Sequence, residues 1–103
     1  MNEAAPPTGA DGTLQSVTRT VTIANRRGLH ARAAGKLAKT AGQFVAEITV
    51  GRAGQTVSGK SILGLMMLAA ATGNAVDIAA RGPDAEAALA AVCALIEANF
   101  VEE

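Results

Sequence analysis

One histidine, one cysteine and a run of basic residues hold most of the reactive chemistry in this chain. The histidine stands in Gly28-Leu29-His30-Ala31-Arg32-Ala33-Ala34, where a turn passes into an Ala-rich helical pattern. The first turn of a helix carries unpaired N–H groups and the positive end of its dipole, so it attracts anions. An imidazole nitrogen there is a nucleophile beside a ready-made phosphate seat. Arg32, two residues on, offers a planar guanidinium to the same oxygens. Such a site holds and releases a phosphoryl group by position and electrostatics, with no metal of its own. A lone His beside a Gly also suits a plain loop end, and these residue types alone leave both readings open. No second His and no Cys pair accompany it, so no metal centre, internal disulfide or cofactor is expected.

A second position of interest is Ser61, which precedes Ile62-Leu63-Gly64-Leu65-Met66. Ser is a good N-cap, worth about 1 kcal/mol, and the spacing predicts a helix over Ile62–Ala71 that Gly73 ends. Leu65, Leu68, Ala69 and Thr72 form the stripe that faces a sheet. Ile62, Leu63 and Met66 then project elsewhere, as an exposed apolar patch of the kind that meets partners. Cys93 falls on a later helix and reads as a small buried apolar residue.

The elements that position these residues follow from periodicity. Gln15–Ala24 alternates, with Val17, Val21 and Ile23 on one face and Thr18, Thr20 and Thr22 on the other, which is a half-buried strand. Asn25–Gly28 is a turn, and a helix over Ala31–Ala41 follows, with Ala34, Leu37, Ala38 and Ala41 on its stripe and Gly42 as its stop. Phe44–Val50 and Gln55–Ser58 form a hairpin around a Gly51–Gly54 turn. After the Ser61 helix, Ala75–Ala80 is a fourth strand with Val76 and Ile78 inward. Asp84 caps a last helix whose stripe is Ala85, Leu89, Val92, Ile96 and Phe100. The order is βαββαβα. Strands that are apolar on one side only imply an α+β two-layer open-faced sandwich, a four-stranded antiparallel sheet with three helices on one face.

With 103 residues there is room for one domain. Residues 1–14 hold two Pro and two Gly and little that is bulky, which predicts a disordered leader before a domain spanning 15–103. No apolar run approaches the roughly 18 residues of a membrane span, and no export signal is visible, so a cytoplasmic monomer is the expectation. The zero net charge hides an asymmetry: all nine basic residues lie between Arg19 and Arg81, a segment of net charge +7. Arg26, Arg27, Arg32, Lys36 and Lys39 cluster around one helix start and suit an acidic or phosphate-bearing partner. Lys36 and Lys39 thereby join Ile62, Leu63 and Met66 as expected docking residues. The absence of Trp and Tyr and of a basic recognition helix argues against nucleic acid.

Asn25-Arg26-Arg27-Gly28-Leu29-His30-Ala31-Arg32-Ala33-Ala34 resembles the active-site signature of the HPr family of phosphocarriers. Gly59-Lys60-Ser61-Ile62-Leu63-Gly64-Leu65-Met66 resembles that family's second signature, around its regulatory serine. The two stand in the family's order, about 30 residues apart, and the resemblance covers roughly residues 15–100. It implies that Nδ1 of His30 accepts a phosphoryl group from the phosphoenolpyruvate-dependent enzyme I and passes it to an enzyme IIA, with Arg32 beside it. It further implies that Ser61 is a substrate for an HPr kinase where one exists, and that the start of the Ser61 helix docks enzyme I and its acceptors. The chain is then a relay and not an enzyme. One departure bears on the branch. Sugar-branch members typically carry Pro where this chain has Ala33, and GLHARAA is similar to the nitrogen-related branch. A carrier serving regulation, with sugar uptake as a further role, fits this motif. The alternative that shares the fold and His30 is an HPr-like interaction protein whose phosphorylation state controls a partner enzyme or transcription factor.

Overall fold

The computed structural model describes residues 16–101. The expected leader, 1–14, lies outside the described residues, as does Gln15. Seven elements alternate along the described chain: strand β1 (Ser16–Thr22), helix α1 (Ala31–Ala41), strands β2 (Glu47–Arg52) and β3 (Gln55–Ser58), helix α2 (Ile62–Met67), strand β4 (Ala75–Arg81) and helix α3 (Ala85–Glu97). The sheet order is β1-β4-β2-β3, antiparallel throughout. This is the expected α+β open-faced sandwich.

Register explains why one face of the sheet is the core. Val21 pairs with Val76, Ile48 with Ala80, and Val50 with both Ile78 and Val57. All but Val57, which is partly buried, lie fully or almost fully buried beneath the helices. Because side chains alternate along a strand, Thr18, Thr20 and Thr22 point to the open face. There Thr20 donates to the Asp77 carboxylate at 2.7 Å. The alternation fails at Arg19, which stands between Val17 and Val21 but escapes the core by reaching Glu97 on α3, 2.9 Å away. The β2–β3 hairpin is tighter than expected. Gly51 stays in the strand, and only Ala53 and Gly54 turn, both at positive φ (53° and 83°). Two left-handed residues between paired strands match the right-handed twist of the hairpin.

The helices contribute small residues, so the two layers sit close. Ala33, Ala34, Leu37 and Ala41 are the buried face of α1, and Ala85, Ala88, Val92, Cys93 and Ile96 that of α3. Burial pushes the Cys93 thiol pKa up, which keeps it unreactive. Phe100 is buried, as its place on the stripe predicts, but not as part of α3. The helix ends at Glu97, and Asn99, Phe100 and Val101 all have positive φ (55°, 57° and 60°), so the chain makes a left-handed turn that drops Phe100 into the core. Each such residue costs about 1–2 kcal/mol. Burial of the ring works against that cost, and Lys36 Nζ holds the Phe100 carbonyl at 2.7 Å.

Asp84 departs from its expected role. It occupies the N-cap position of α3, yet its carboxylate makes no cap hydrogen bond there. It instead accepts from the amides of Val45 (2.9 Å) and Ala46 (2.7 Å), fastening the entry to β2 against the start of α3. The Val45 amide is the main reason its carboxyl sits below the usual aspartate value, with Ala46 and the Lys60 charge adding to it against the opposing effect of desolvation. A lowered folded-state pKa means that the ionised form is the one folding prefers. The stabilisation is therefore complete well above pH 3.8 and is lost as pH falls through that value toward the folded-state pKa. Asp84→Asn is expected to lower the melting temperature at pH 7 and to lose less stability than wild type between pH 5 and about pH 3. Parallel thermal melts would show it; identical acid sensitivity in the two proteins would remove Asp84 from the acid response.

Candidate phosphoryl site at the start of the first helix

His30 is the N-cap residue of α1. Its backbone is extended (φ −74°, ψ 178°), its carbonyl accepts from Ala34 N at 2.8 Å, and its ring Nδ1 accepts from Arg32 N at 3.3 Å. The Nδ1 lone pair is thus aimed at the N–H groups of the helix start. No acidic side chain occupies the first turn of α1, so the helix itself sets no negative charge against a bound anion. His30 is half-buried and Arg32 is exposed beside it. A group bonded to Nδ1 takes the place of that acceptor and meets the same amides.

The segment leading into His30 is anchored from one side. Gly28 has φ +65°, and a Cβ there would lie 2.3 Å from the carbonyl oxygen of Ala70 and 2.9 Å from Ala71 Cα, so the position admits only glycine without rearrangement. This close approach lets Leu29 N donate to Ala70 O at 2.9 Å. Asn25, fully buried, donates from Nδ2 to Gly28 O at 2.9 Å. Thr72 Oγ1 contacts the carbonyls of Asn25 and, at 2.9 Å, Arg26. Sequence reading placed Asn25 in the turn and Thr72 on the sheet-facing stripe of the Ser61 helix, and gave neither this anchoring role. A polar residue three before Gly28, and a threonine just before Gly73, are the signals that stood there.

Ser61 caps α2 as expected, its Oγ accepting from Gly64 N at 3.0 Å. The helix is shorter than its apolar pattern predicts. It stops at Met67, and Ala69 turns to φ 53°, which removes Ala69 and Thr72 from the buried stripe while Leu65 and Leu68 stay in it. The physical reason is a demand for carbonyls elsewhere: Leu68 O accepts from Arg52 Nη1 at 3.0 Å and Ala70 O from Leu29. Ile62 (47% exposed), Leu63 (69%) and Met66 (41%) do project outward, and Met67 (69%) extends the patch beyond the expected set. Lys39 is exposed at the end of α1. Lys36, by contrast, is occupied with the Phe100 carbonyl and does not stand out as a free surface charge. Among the described residues no three His, Cys, Asp or Glu side chains gather as a metal site, and no helix is long and apolar enough to cross a membrane.

Residues 17–98 match the family model described as the PTS HPr component phosphorylation site. The chain belongs to the HPr family of phosphocarriers. Its place there is that of a phosphotransferase-system relay component, not a catalyst. It is 47% identical to the phosphocarrier protein NPr of Shewanella violacea over 86% of this chain and 98% of that protein. It is 48% identical to the phosphocarrier protein HPr of Cupriavidus necator over 82% of this chain and 94% of that one. The crystal structure of an HPr from Thermoanaerobacter tengcongensis superposes with a TM-score of 0.82 at 41% identity, covering 84% of this chain and 98% of that chain. The open-faced sandwich is therefore the HPr fold.

Proposed function

We propose that His30 is the residue that carries the phosphoryl group, accepting it at Nδ1 from enzyme I and delivering it to an enzyme IIA, with Arg32 as the guanidinium that meets its oxygens. The observation that carries this reading is the Nδ1 acceptor at 3.3 Å from Arg32 N, at a helix start free of acidic side chains. In the unphosphorylated protein the amide holds the ring in one orientation. After transfer the same amides and Arg32 receive the phosphate oxygens, charge-assisted contacts stronger than neutral ones.

The branch we propose is the nitrogen-related, regulatory one, with sugar uptake as a further role. Ala33 supports it: fully buried, it keeps the backbone N–H that Pro would remove from the first turn. Similarity to an NPr and to an HPr at nearly equal identity is consistent with one carrier serving both. We also propose that Ser61 is the substrate of an HPr kinase where one is present; a phosphate there would add about two negative charges beside the docking patch without displacing the fold. The protein acts as a cytoplasmic monomer.

The test is incubation with phosphoenolpyruvate and enzyme I of each branch, followed by intact-mass measurement. A mass gain of one phosphate, faster with the nitrogen-branch enzyme, is expected. No gain with either enzyme would turn the reading to an interaction protein. Docking is tested separately. Ile62→Glu and Met66→Glu should each slow transfer about tenfold or more, the scale of losing one well-placed interface anchor, while melting temperatures stay near wild type because both side chains are exposed. An unchanged rate would remove the patch from the interface.

A further inference from the structure

The stretch just after α2 anchors both ends of the loop that delivers His30. Ile23 exchanges backbone hydrogen bonds with that stretch, its carbonyl accepting from Gly73 N (2.7 Å) and its amide donating to Asn74 O (2.8 Å). Leu29, adjacent to His30, donates to Ala70 O, and Gly28 rests on Ala70 and Ala71. Between these two ends the side chain of Thr72 reaches across to the loop. Its hydroxyl has one proton to share between the Asn25 and Arg26 carbonyls. Asn25 then donates to Gly28 O, so the contact made by Thr72 is two hydrogen bonds away from the glycine on which the His30 turn is built. Thr72 itself is exposed and adds nothing to the core.

We propose that Thr72 is a positioning residue for phosphoryl transfer: by tying Asn25 and Arg26 to the α2–β4 loop it holds His30 Nδ1 at the start of α1 in its reactive orientation. The inference rests on the reading of His30 as the phosphoryl acceptor. It assigns the residue a role in the rate of the chemical step and not in docking, since its hydroxyl faces the backbone of the His30 loop. In-line transfer is steeply sensitive to the placement of the nucleophile.

The experiment compares wild type, Thr72→Val and Thr72→Ser as substrates of enzyme I, reading kcat and KM, with thermal melts and amide hydrogen exchange at Leu29. Val keeps the volume and removes the hydroxyl; Ser keeps the hydroxyl. Thr72→Val is expected to lower kcat about tenfold, leave KM within about twofold of wild type, and speed exchange of the Leu29 amide; Thr72→Ser restores kcat. Should Thr72→Val not fold, Thr72→Ala serves in the same comparison. A wild-type kcat in the folded hydroxyl-free variant overturns the proposal. So does a raised KM at unchanged kcat, which would make Thr72 a docking residue, or a Ser variant no better than the hydroxyl-free one. A wild-type protein that accepts no phosphate, or His30→Ala that accepts it normally, overturns the carrier reading instead and takes the positioning role with it.

Discussion

His30→Ala is expected to abolish phosphoenolpyruvate-dependent phosphorylation completely while leaving a folded domain. The loss is total because His30 is the only histidine in the chain, so no second imidazole can substitute. The stability effect is small because the side chain's cap contact to Arg32 N is long, 3.3 Å, and its position is only half-buried. Loss of a cap costs about 0.5–2 kcal/mol. The measurement is intact mass after incubation with enzyme I, before and after brief acid treatment. A phosphoryl group on imidazole nitrogen leaves in acid, whereas one on a serine hydroxyl stays. Wild type should show an acid-labile adduct and His30→Ala none. Any acid-stable adduct that remains points to Ser61 and to a kinase, not to the relay. An acid-labile adduct on His30→Ala would place the chemistry elsewhere and sink the assignment.

Why the placement of His30 at the start of a helix was legible from sequence, and the contacts behind it were not, comes down to range. The site's first layer is local: an N-cap residue, the amide two residues on and an arginine at the same position all follow from a turn running into a helix at Ala31. The strand faces were legible for a similar reason, since alternation at Ile48 and Val50, and again at Val76 and Ile78, is a property of adjacent residues. What was missed is non-local. Thr72 reaches residues 46 and 47 positions away. Asp84 bonds amides 38 and 39 away, in place of the local cap its residue type suggests. The run Ala69-Ala70-Ala71 has high intrinsic helix propensity, yet tertiary needs override it, because Arg52 and Leu29 take the carbonyls of Leu68 and Ala70. Phe100 shows the converse. It continues the i, i+4 spacing from Ile96 and reaches the predicted burial by a left-handed turn, with Lys36, read as a surface charge, clasping its carbonyl.

Gly28→Ala should be the most damaging single-atom addition near the site, and Gly54→Ala is its control. Both glycines have positive φ, 65° and 83°, so both substitutions incur the left-handed penalty of about 1–2 kcal/mol. At Gly54 nothing lies within 4 Å of the added Cβ, and that penalty is the whole cost. At Gly28 the Cβ would meet the Ala70 carbonyl oxygen at 2.3 Å and Ala71 Cα at 2.9 Å, backbone atoms with no rotamer to change. The loops must part, at an overpacking cost of about 1–3 kcal/mol more, for a total of about 2–5 kcal/mol. Parting them also breaks the Leu29 N to Ala70 O hydrogen bond, 2.9 Å long, that sets the residue next to His30. Chemical denaturation should therefore separate the two variants by about 1–3 kcal/mol. Under conditions where both are folded, phosphorylation by enzyme I should be slowed in Gly28→Ala and unchanged in Gly54→Ala. Equal stability losses would mean that the α2–β4 loop moves aside freely. A Gly28→Ala protein that is destabilised but transfers at full rate would show that the ring finds its orientation from the helix start alone, without the platform beneath the loop.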